Sequence, residues 1–156
     1  MSTTNHEGLV PAAQGAPTTV PRPRPLPRKI AHWGEPGAGN AFAEYLGLSW
    51  DDENTVRMTI RPEICNEVGL LLGPVGFALV DYSMGATLWA QTSEGELIAT
   101  INISINYIQS DTRGDVTCRS RLDRRNRRIA VLSSETHHED GRLLATAIGS
   151  FSIFRR

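Results

Sequence analysis

Hydrophobic and polar residues repeat with two different periods along this chain, and each change of period marks the boundary of an element. From Asn40 the segment NAFAEYLG has apolar residues at helical spacing and ends at Gly47, which predicts a short helix with a glycine stop. The period becomes two in TVRMTIR, residues 55–61, which predicts a strand ended by Pro62. A long helix around Asp81 follows.

Strand-like alternation continues from the end of that helix to the end of the chain. Turn sequences such as DTRGD and EDGR separate four segments of this kind, at residues 97–108, 115–122, 128–137 and 143–154. We expect these four strands to form a meander. The order helix, strand, long helix and four strands predicts an α+β fold, in which an antiparallel β-sheet wraps around a long central α-helix.

The beginning of the chain has a composition that suits neither a helix nor a sheet. Six of the nine prolines lie in residues 1–30, and VPRPRPLPRK has proline at every second position. Such a segment lacks backbone donors and favours an extended conformation. We therefore predict a disordered Pro/Arg-rich tail over residues 1–37, with a ligand for an SH3-like groove as the alternative, and one domain over residues 38–156.

Composition and charge narrow the classes of protein that remain. With 156 residues, a net charge of -1 and a pI near 6.4, the chain gives no reason to expect a nucleic-acid or membrane partner. It has neither a membrane-length apolar run nor a secretory signal, so we expect a soluble, cytoplasmic protein. Cys65 and Cys118 lack metal-ligand spacing and predict free thiols, and HHED, residues 137–140, is interpreted as a surface turn without metal.

Asp81 is the residue that points to chemistry, because its carboxylate interrupts an apolar helical segment. On a helical wheel Ser83, Thr87 and Gln91 form a polar stripe, whereas Asp81 lies on the opposite, apolar side beside Met84. An ionised group away from water costs several kcal/mol unless partners stabilise it. Two interpretations stay open, namely a carboxylate satisfied by backbone donors and a catalytic base or nucleophile.

The residues that precede Asp81 have a spacing found in a known family. NEVGLLLGP, followed by seven residues that end in Asp81, resembles the hotdog-fold acyl-CoA thioesterases of the PaaI-like or 4-hydroxybenzoyl-CoA thioesterase-like type. Their signature reads Asn-x-x-Gly-x-x-His-Gly-Gly and then an acidic residue on the central helix. Asn66, Gly69 and Gly73 occupy the family's positions, and the resemblance covers roughly residues 38–156.

The resemblance implies a hotdog fold and hydrolysis of acyl-CoA thioesters, with an acyl carrier protein as the alternative thiol carrier. It implies that Asp81 acts as general base or nucleophile and that the Gly73 N–H binds the carbonyl oxygen. Asn66 would orient the substrate or water, and Thr100 would supply a hydroxyl from the strand after the helix. No cofactor is implied beyond the coenzyme A of the substrate. Family sites form between two subunits, which implies a homodimer or a tetramer of paired dimers.

Two residues depart from the family signature. Pro74 replaces the second glycine, which a first-turn helical position tolerates. Leu72 replaces the histidine and removes a polar side chain beside the expected substrate carbonyl. Leu72, Phe77 and Met84 are the apolar residues that we expect to contact the substrate.

Arginine is concentrated in RSRLDRRNRR, residues 119–128, around the turn of a predicted hairpin. A solvated turn is one interpretation. The other is a binding surface for the phosphates of coenzyme A or the acidic face of a carrier protein, formed by Arg124, Arg125, Arg127 and Arg128.

The leucine at position 72 keeps other functions open. One is a non-hydrolytic acyl-CoA-binding protein, which has kept the pocket and lost turnover. Another is a biosynthetic hotdog enzyme of the dehydratase or cyclase type, although the Asp-x-Asn-Pro-x-His segment of the hydratases is missing. The chain has no G-x-S-x-G segment, which argues against an α/β-hydrolase thioesterase.

Overall fold

The computed structural model describes residues 40–155, and in this range the chain forms two α-helices and six β-strands. The predicted tail over residues 1–37 lies outside the described residues. In chain order the elements are α1 (Ala41–Leu46), β1 (Ser49–Asp52), β2 (Thr55–Ile60), a 3₁₀ turn (Pro62–Ile64), α2 (Gly73–Trp89), β3 (Glu96–Tyr107), β4 (Gly114–Arg125), β5 (Ile129–His138) and β6 (Leu143–Arg155).

The helix and strand predictions are confirmed, with small shifts at their ends. The Asn40 side chain accepts a hydrogen bond from the Ala43 N–H at 3.2 Å and begins α1, and Gly47 ends it at a φ of +70° that suits glycine. The prediction missed β1, because its four residues, SWDD, are too few and too acidic to show alternation. Strand β4 continues to Arg125, so the arginine-rich segment is mostly strand and its turn is short.

The strands form one antiparallel sheet in the order β1-β2-β4-β5-β6-β3. The predicted four-strand meander is therefore wrong for its first member, because β3 lies at the far edge and pairs with β6, as at Thr100 and Phe151. Strand β4 instead pairs with β2. Helix α2 connects β2 to β3 across the sheet, so β3 begins at the opposite edge and the next strand returns beside β2.

Helix α2 packs on the sheet with a face that contains both apolar and hydroxyl side chains. Ser83 and Thr87, which belong to the polar stripe of the helical wheel, are buried at 0% and 1% exposure, so this stripe faces the sheet. Their burial is stabilised by hydrogen bonds, since Ser83 Oγ lies 2.7 Å from Ser120 Oγ and Thr87 Oγ1 donates to the Ser83 carbonyl at 2.9 Å. Asp81 lies on the outward side, where it is half-buried.

The core lies between α2 and the sheet and contains large side chains from both. Its fully buried members include Val56, Met58, Leu79, Leu88, Val116 and Leu132. An antiparallel sheet that wraps around one long helix is the hotdog arrangement, so the predicted fold class is confirmed. Among residues 40–155, neither helix combines the length and apolar character needed to cross a lipid bilayer.

Candidate functional site

The loop before α2 is held in place by the side chain of Asn66. Its Oδ1 accepts hydrogen bonds from the N–H groups of Val68 and Leu70 at 3.1 and 2.9 Å. The Gly69 N–H donates to the Asn66 carbonyl at 2.9 Å, and Gly69 has a φ of +83°, a conformation that favours glycine. The Asn66 oxygen is thus used in the loop, and its amide NH₂ is the group available to a substrate.

The first turn of α2 offers one N–H to a ligand. The N–H groups of Val75 and Gly76 donate to the Leu72 carbonyl at 3.0 and 3.1 Å, and Pro74 has no N–H. Among the described residues no acceptor contacts the Gly73 N–H, as expected for the first residue of a helix. A 17-residue helix also has a positive end of its dipole here, so the Gly73 N–H favours an oxygen that carries negative charge.

This N–H lies at a pocket of about 360 Å³ between the start of α2 and the ends of β3 and β6. Asn66, Leu72 and Gly73 contribute to its lining, and Leu79, Leu144 and other apolar side chains form much of the rest. A largely apolar pocket with a few polar groups is typical of a small-molecule site. The structure therefore brings together three of the residues that the sequence predicted.

Asp81 and Thr100 form a second cluster on the outward side of α2. Thr100 Oγ1 donates a hydrogen bond of 2.8 Å to Asp81 Oδ1, so the structure also brings this predicted pair together. They lie at a smaller pocket of about 180 Å³, with Gly85, Ile98 and Phe151 among its other lining residues. Within the described residues, Asp81 Oδ2 makes no hydrogen bond and is open to a water molecule or a substrate.

The two clusters are separate within a single chain. Gly73 and Asp81 are eight residues apart on one helix, which corresponds to about 12 Å along its axis. They line different pockets. A single chain therefore does not place the N–H and the carboxylate on the same carbonyl group.

The other predicted substrate contacts have different placements. Leu72 lines the larger pocket. Phe77 is 39% exposed on the outward face of α2, one turn before Asp81. Met84 has no exposed surface and lies against Gly149 in the core, where a Cβ on the glycine would be 2.8 Å from the Met84 sulfur. The placement of Met84 favours a structural role over a substrate contact.

The arginine group divides into one structural member and three exposed members. Arg125 forms an ion pair with Glu96 at 2.6 Å and donates to the Gln91 carbonyl, so it joins β4 to the start of β3. A hydrogen bond from the Ser93 N–H, followed by the contact with Arg125, lowers the pKa of Glu96. The exposed members are Arg124, Arg127 and Arg128. Of the four predicted arginines, these three do not pair with Glu96 and are exposed to a phosphate group.

Tyr107 is a pocket residue that the sequence interpretation did not select. Its hydroxyl donates a hydrogen bond of 2.6 Å to the Gly73 carbonyl, and partial burial raises its pKa. In the sequence it lies one residue before the end of the strand predicted over residues 97–108. The available signal was the pair Gly73 and Gly76, three residues apart on one helix face, which leaves room for an aromatic ring.

A charged cluster fixes the loop that borders the larger pocket. His138 Nδ1 lies 3.1 Å from Asp140 Oδ2, and its Nε2 lies 3.0 Å from the Arg113 carbonyl. These contacts, together with Asp111 at 3.7 Å, raise the pKa of His138, and the hydrogen bond to Arg113 is the largest cause. Arg142 bridges Asp111 and Asp140. The interpretation of HHED as a surface turn is thus wrong for His138, whose side chain is 9% exposed.

Metal binding has no support in this cluster, because an arginine already contacts both of its aspartates. Within the described part of the chain, no group of three or more His, Cys, Asp or Glu side chains is arranged to hold a metal ion. Cys65 and Cys118 are both free thiols. Burial raises the pKa of Cys118, which lies under α2 near Ser83 and Ser120.

Comparison with known proteins agrees with the fold. The family model of the thioesterase superfamily matches residues 68–145. Thioesterase HI1161 from Haemophilus influenzae is 21% identical over 75% of this chain and 85% of its own, with a TM-score of 0.70. The BH2602 protein from Bacillus halodurans, solved with CoA, is 20% identical over 72% and 75%, with a TM-score of 0.69.

A third solved structure, the conserved protein PA5202 from Pseudomonas aeruginosa, is 29% identical over 73% of this chain and 94% of its own, with a TM-score of 0.67. A search of curated proteins finds none that matches the chain.

Proposed function

The chain belongs to the thioesterase superfamily, and we propose that it hydrolyses acyl-CoA thioesters to the free acid and coenzyme A as an enzyme of the PaaI-like type. The observation that carries this proposal is Gly73, whose N–H has no partner among the described residues and which lines a largely apolar pocket. A backbone N–H at a helix start stabilises the negative oxygen that develops when a thioester carbonyl is attacked.

The separation of Gly73 from Asp81 supports a site shared by two subunits. Strand β3 is a sheet edge of 12 residues, and a long unpaired edge is a template for pairing with another chain. Phe77, Ile101 and Ile108 are large apolar side chains exposed on or near this side at 39%, 55% and 54%. Antiparallel pairing of β3 with the same strand of a second copy would cover them and turn Asp81 of one subunit toward Gly73 of the other. A tetramer would pair two such dimers.

The proposed reaction uses Asp81 and Gly73 in separate roles. With Asp81 as general base, Oδ2 takes a proton from water, and the water oxygen forms a bond to the thioester carbon. The Gly73 N–H stabilises the carbonyl oxygen as it becomes negative, and the carbon–sulfur bond then breaks to release the coenzyme A thiol, which receives the proton. The hydrogen bond from Thr100 fixes the orientation of the carboxylate.

Asp81 as a direct nucleophile is the second route. Its oxygen would form a mixed anhydride with the acyl group, and water would then hydrolyse the anhydride. Label on Asp81 after a single turnover in ¹⁸O-labelled water identifies this route, because it requires attack of water on the Asp81 carboxyl carbon of the anhydride. General-base catalysis, and attack of water on the acyl carbon of the anhydride, place the label only in the released acid.

The test of the function is release of free thiol from a panel of acyl-CoAs and one acyl carrier protein thioester. Aromatic and aliphatic acyl groups of increasing length belong in the panel, because the pocket volume does not by itself select one of them. We expect release from at least one acyl-CoA and slower release from the carrier thioester. The absence of release from every member contradicts the proposal.

A second candidate function is non-hydrolytic binding of acyl-CoA. The observation that favours it is Leu72, since it lines the pocket beside Gly73 and cannot donate a hydrogen bond. Calorimetric titration with a thioether analogue of an acyl-CoA separates the candidates. Tight binding of the analogue, without thiol release from the matching thioester, supports the binding protein.

A further inference from the structure

We propose that the Tyr107 hydroxyl donates a hydrogen bond to the substrate carbonyl, beside the Gly73 N–H, and supplies the polar contact that Leu72 cannot make. The inference rests on the proposed thioesterase activity and adds a catalytic residue to it. It follows from the position of the tyrosine ring over the first turn of α2.

The ring of Tyr107 lies against the two glycines of that turn. Its hydroxyl is 2.6 Å from the Gly73 carbonyl oxygen. A Cβ added to Gly73 would lie 3.8 Å from the Tyr107 hydroxyl, and a Cβ added to Gly76 would lie 3.3 Å from its Cε1. The second distance is tighter than ordinary van der Waals contact. A side chain at position 76 would therefore push the ring away, so glycine at this position is matched to the tyrosine.

The hydroxyl is able to change its acceptor when a substrate binds. The carbonyl of the first residue in an α-helix already accepts the N–H four residues later, so Gly73 does not depend on Tyr107 for its hydrogen bond. A tyrosine has one hydroxyl proton, which rotates about the Cζ–Oη bond to suit a nearby acceptor. The Gly73 N–H and carbonyl point in opposite directions along the helix, so the hydroxyl has to leave the carbonyl to reach a substrate oxygen that the N–H binds. Tyr107 lines the same pocket as Gly73 and is 54% exposed, which leaves its side chain room to turn toward that oxygen.

Two polar side chains that follow Tyr107 at this end of the pocket are engaged elsewhere. The Gln109 amide donates to the Leu143 carbonyl at 2.9 Å, and the Ser110 hydroxyl contacts the Leu71 carbonyl at 3.4 Å. The Asn66 oxygen holds the loop before α2. The Tyr107 hydroxyl contacts Gly73 directly, and its raised pKa keeps it protonated, and hence a donor, across the neutral pH range.

The first test is the kinetics of Tyr107→Phe, which removes the hydroxyl and keeps the ring. We expect kcat on the best acyl-CoA to fall about 10²-fold, the scale for loss of one oxyanion donor, with KM changed less than about twofold. Tyr45→Phe is the matched control, because it removes an exposed hydroxyl on α1 that makes a long hydrogen bond of 3.5 Å to the Glu63 carbonyl. We expect the control to have the kcat of the wild type.

The second test is the infrared carbonyl stretch of ¹³C-labelled benzoyl-CoA, bound to Asp81→Asn with and without Tyr107→Phe. A hydrogen bond to the carbonyl lowers its stretching frequency, so we expect a higher frequency when the tyrosine hydroxyl is removed. A loss of kcat with an unchanged carbonyl frequency overturns the inference, because it shows that Tyr107 only supports the helix start. An unchanged kcat overturns it as well.

The failure of this inference is distinguishable from the failure of the proposed function. If the wild-type protein releases no thiol from any thioester, the proposed function fails and the role of Tyr107 fails with it. If the wild type turns over and Tyr107→Phe equals it, only the role of Tyr107 is lost.

Discussion

Replacing Asp81 with asparagine tests the centre of the proposed mechanism with little change in shape. The asparagine side chain keeps an oxygen at the position of Oδ1, so the 2.8 Å hydrogen bond from Thr100 can persist. Position 81 is half-buried on the outward face of α2, so the substitution leaves the packing of the helix on the sheet unchanged. The group that is lost is the basic Oδ2.

The expected result is a fall in kcat of at least about 10²-fold, because general-base catalysis contributes roughly 10² to 10⁴ in rate. A factor of 10² corresponds to about 2.7 kcal/mol of transition-state stabilisation. If Asp81 acts as the nucleophile, the loss should reach the upper end of that range or exceed it. KM should change little, since the carboxylate stabilises the transition state more than the bound substrate.

The assay is thiol release under saturating acyl-CoA, together with size-exclusion chromatography and thermal unfolding of the variant. Asp123→Asn is the matched control, because that carboxylate pairs with Arg121 at 2.7 Å and lines neither candidate pocket. We expect the control to keep wild-type kcat. Unchanged turnover in Asp81→Asn, with fold and assembly intact, refutes the catalytic role and leaves Asp81 as a carboxylate satisfied by Thr100.

Three further predictions follow from the pocket, the exposed arginines and the charged cluster. Leu72→His should raise kcat/KM on the best acyl-CoA or leave it unchanged, because it adds a donor beside Gly73; a large fall with the fold intact would mean that Leu72 is needed as an apolar wall. Serine at Arg124, Arg127 and Arg128 should raise KM for acyl-CoA more than for a matching acyl-pantetheine, and added salt should shrink the difference; an equal response of both substrates contradicts phosphate binding. Because the pKa of His138 is raised in the folded protein, protonation of His138 stabilises the fold. This stabilisation is complete below the pKa of the unfolded chain, about 6.5, and is lost as the pH rises through the pKa of the folded protein. In urea unfolding, His138→Gln should therefore lose more free energy of unfolding relative to the wild type at pH 5.5 than at pH 8.5. An equal loss at both pH values contradicts a stabilising role for protonated His138.

The features that the sequence alone predicted correctly depend on residues close together in the chain. The N-cap at Asn40 and the stop at Gly47 are effects of neighbouring residues, and the alternation of strands depends on positions two apart. The spacing from Asn66 to Asp81 also lies within one loop and one helix, so it could be read without knowledge of the fold. The family resemblance predicted a hydroxyl at Thr100 in the site of Asp81, and the structure contains a hydrogen bond between these two side chains.

The tertiary structure decided which surfaces meet. Any two strands can exchange backbone hydrogen bonds, so alternation gives no partner, and only the path of α2 across the sheet sends β3 to its edge. A helical wheel separates polar from apolar positions but does not reveal that Ser83 finds acceptors in the sheet and becomes buried. The contact of Tyr107 with Gly73 and the ion pair of Arg125 with Glu96 join residues far apart in the chain. Such contacts depend on long-range packing, which no local pattern of residue types records.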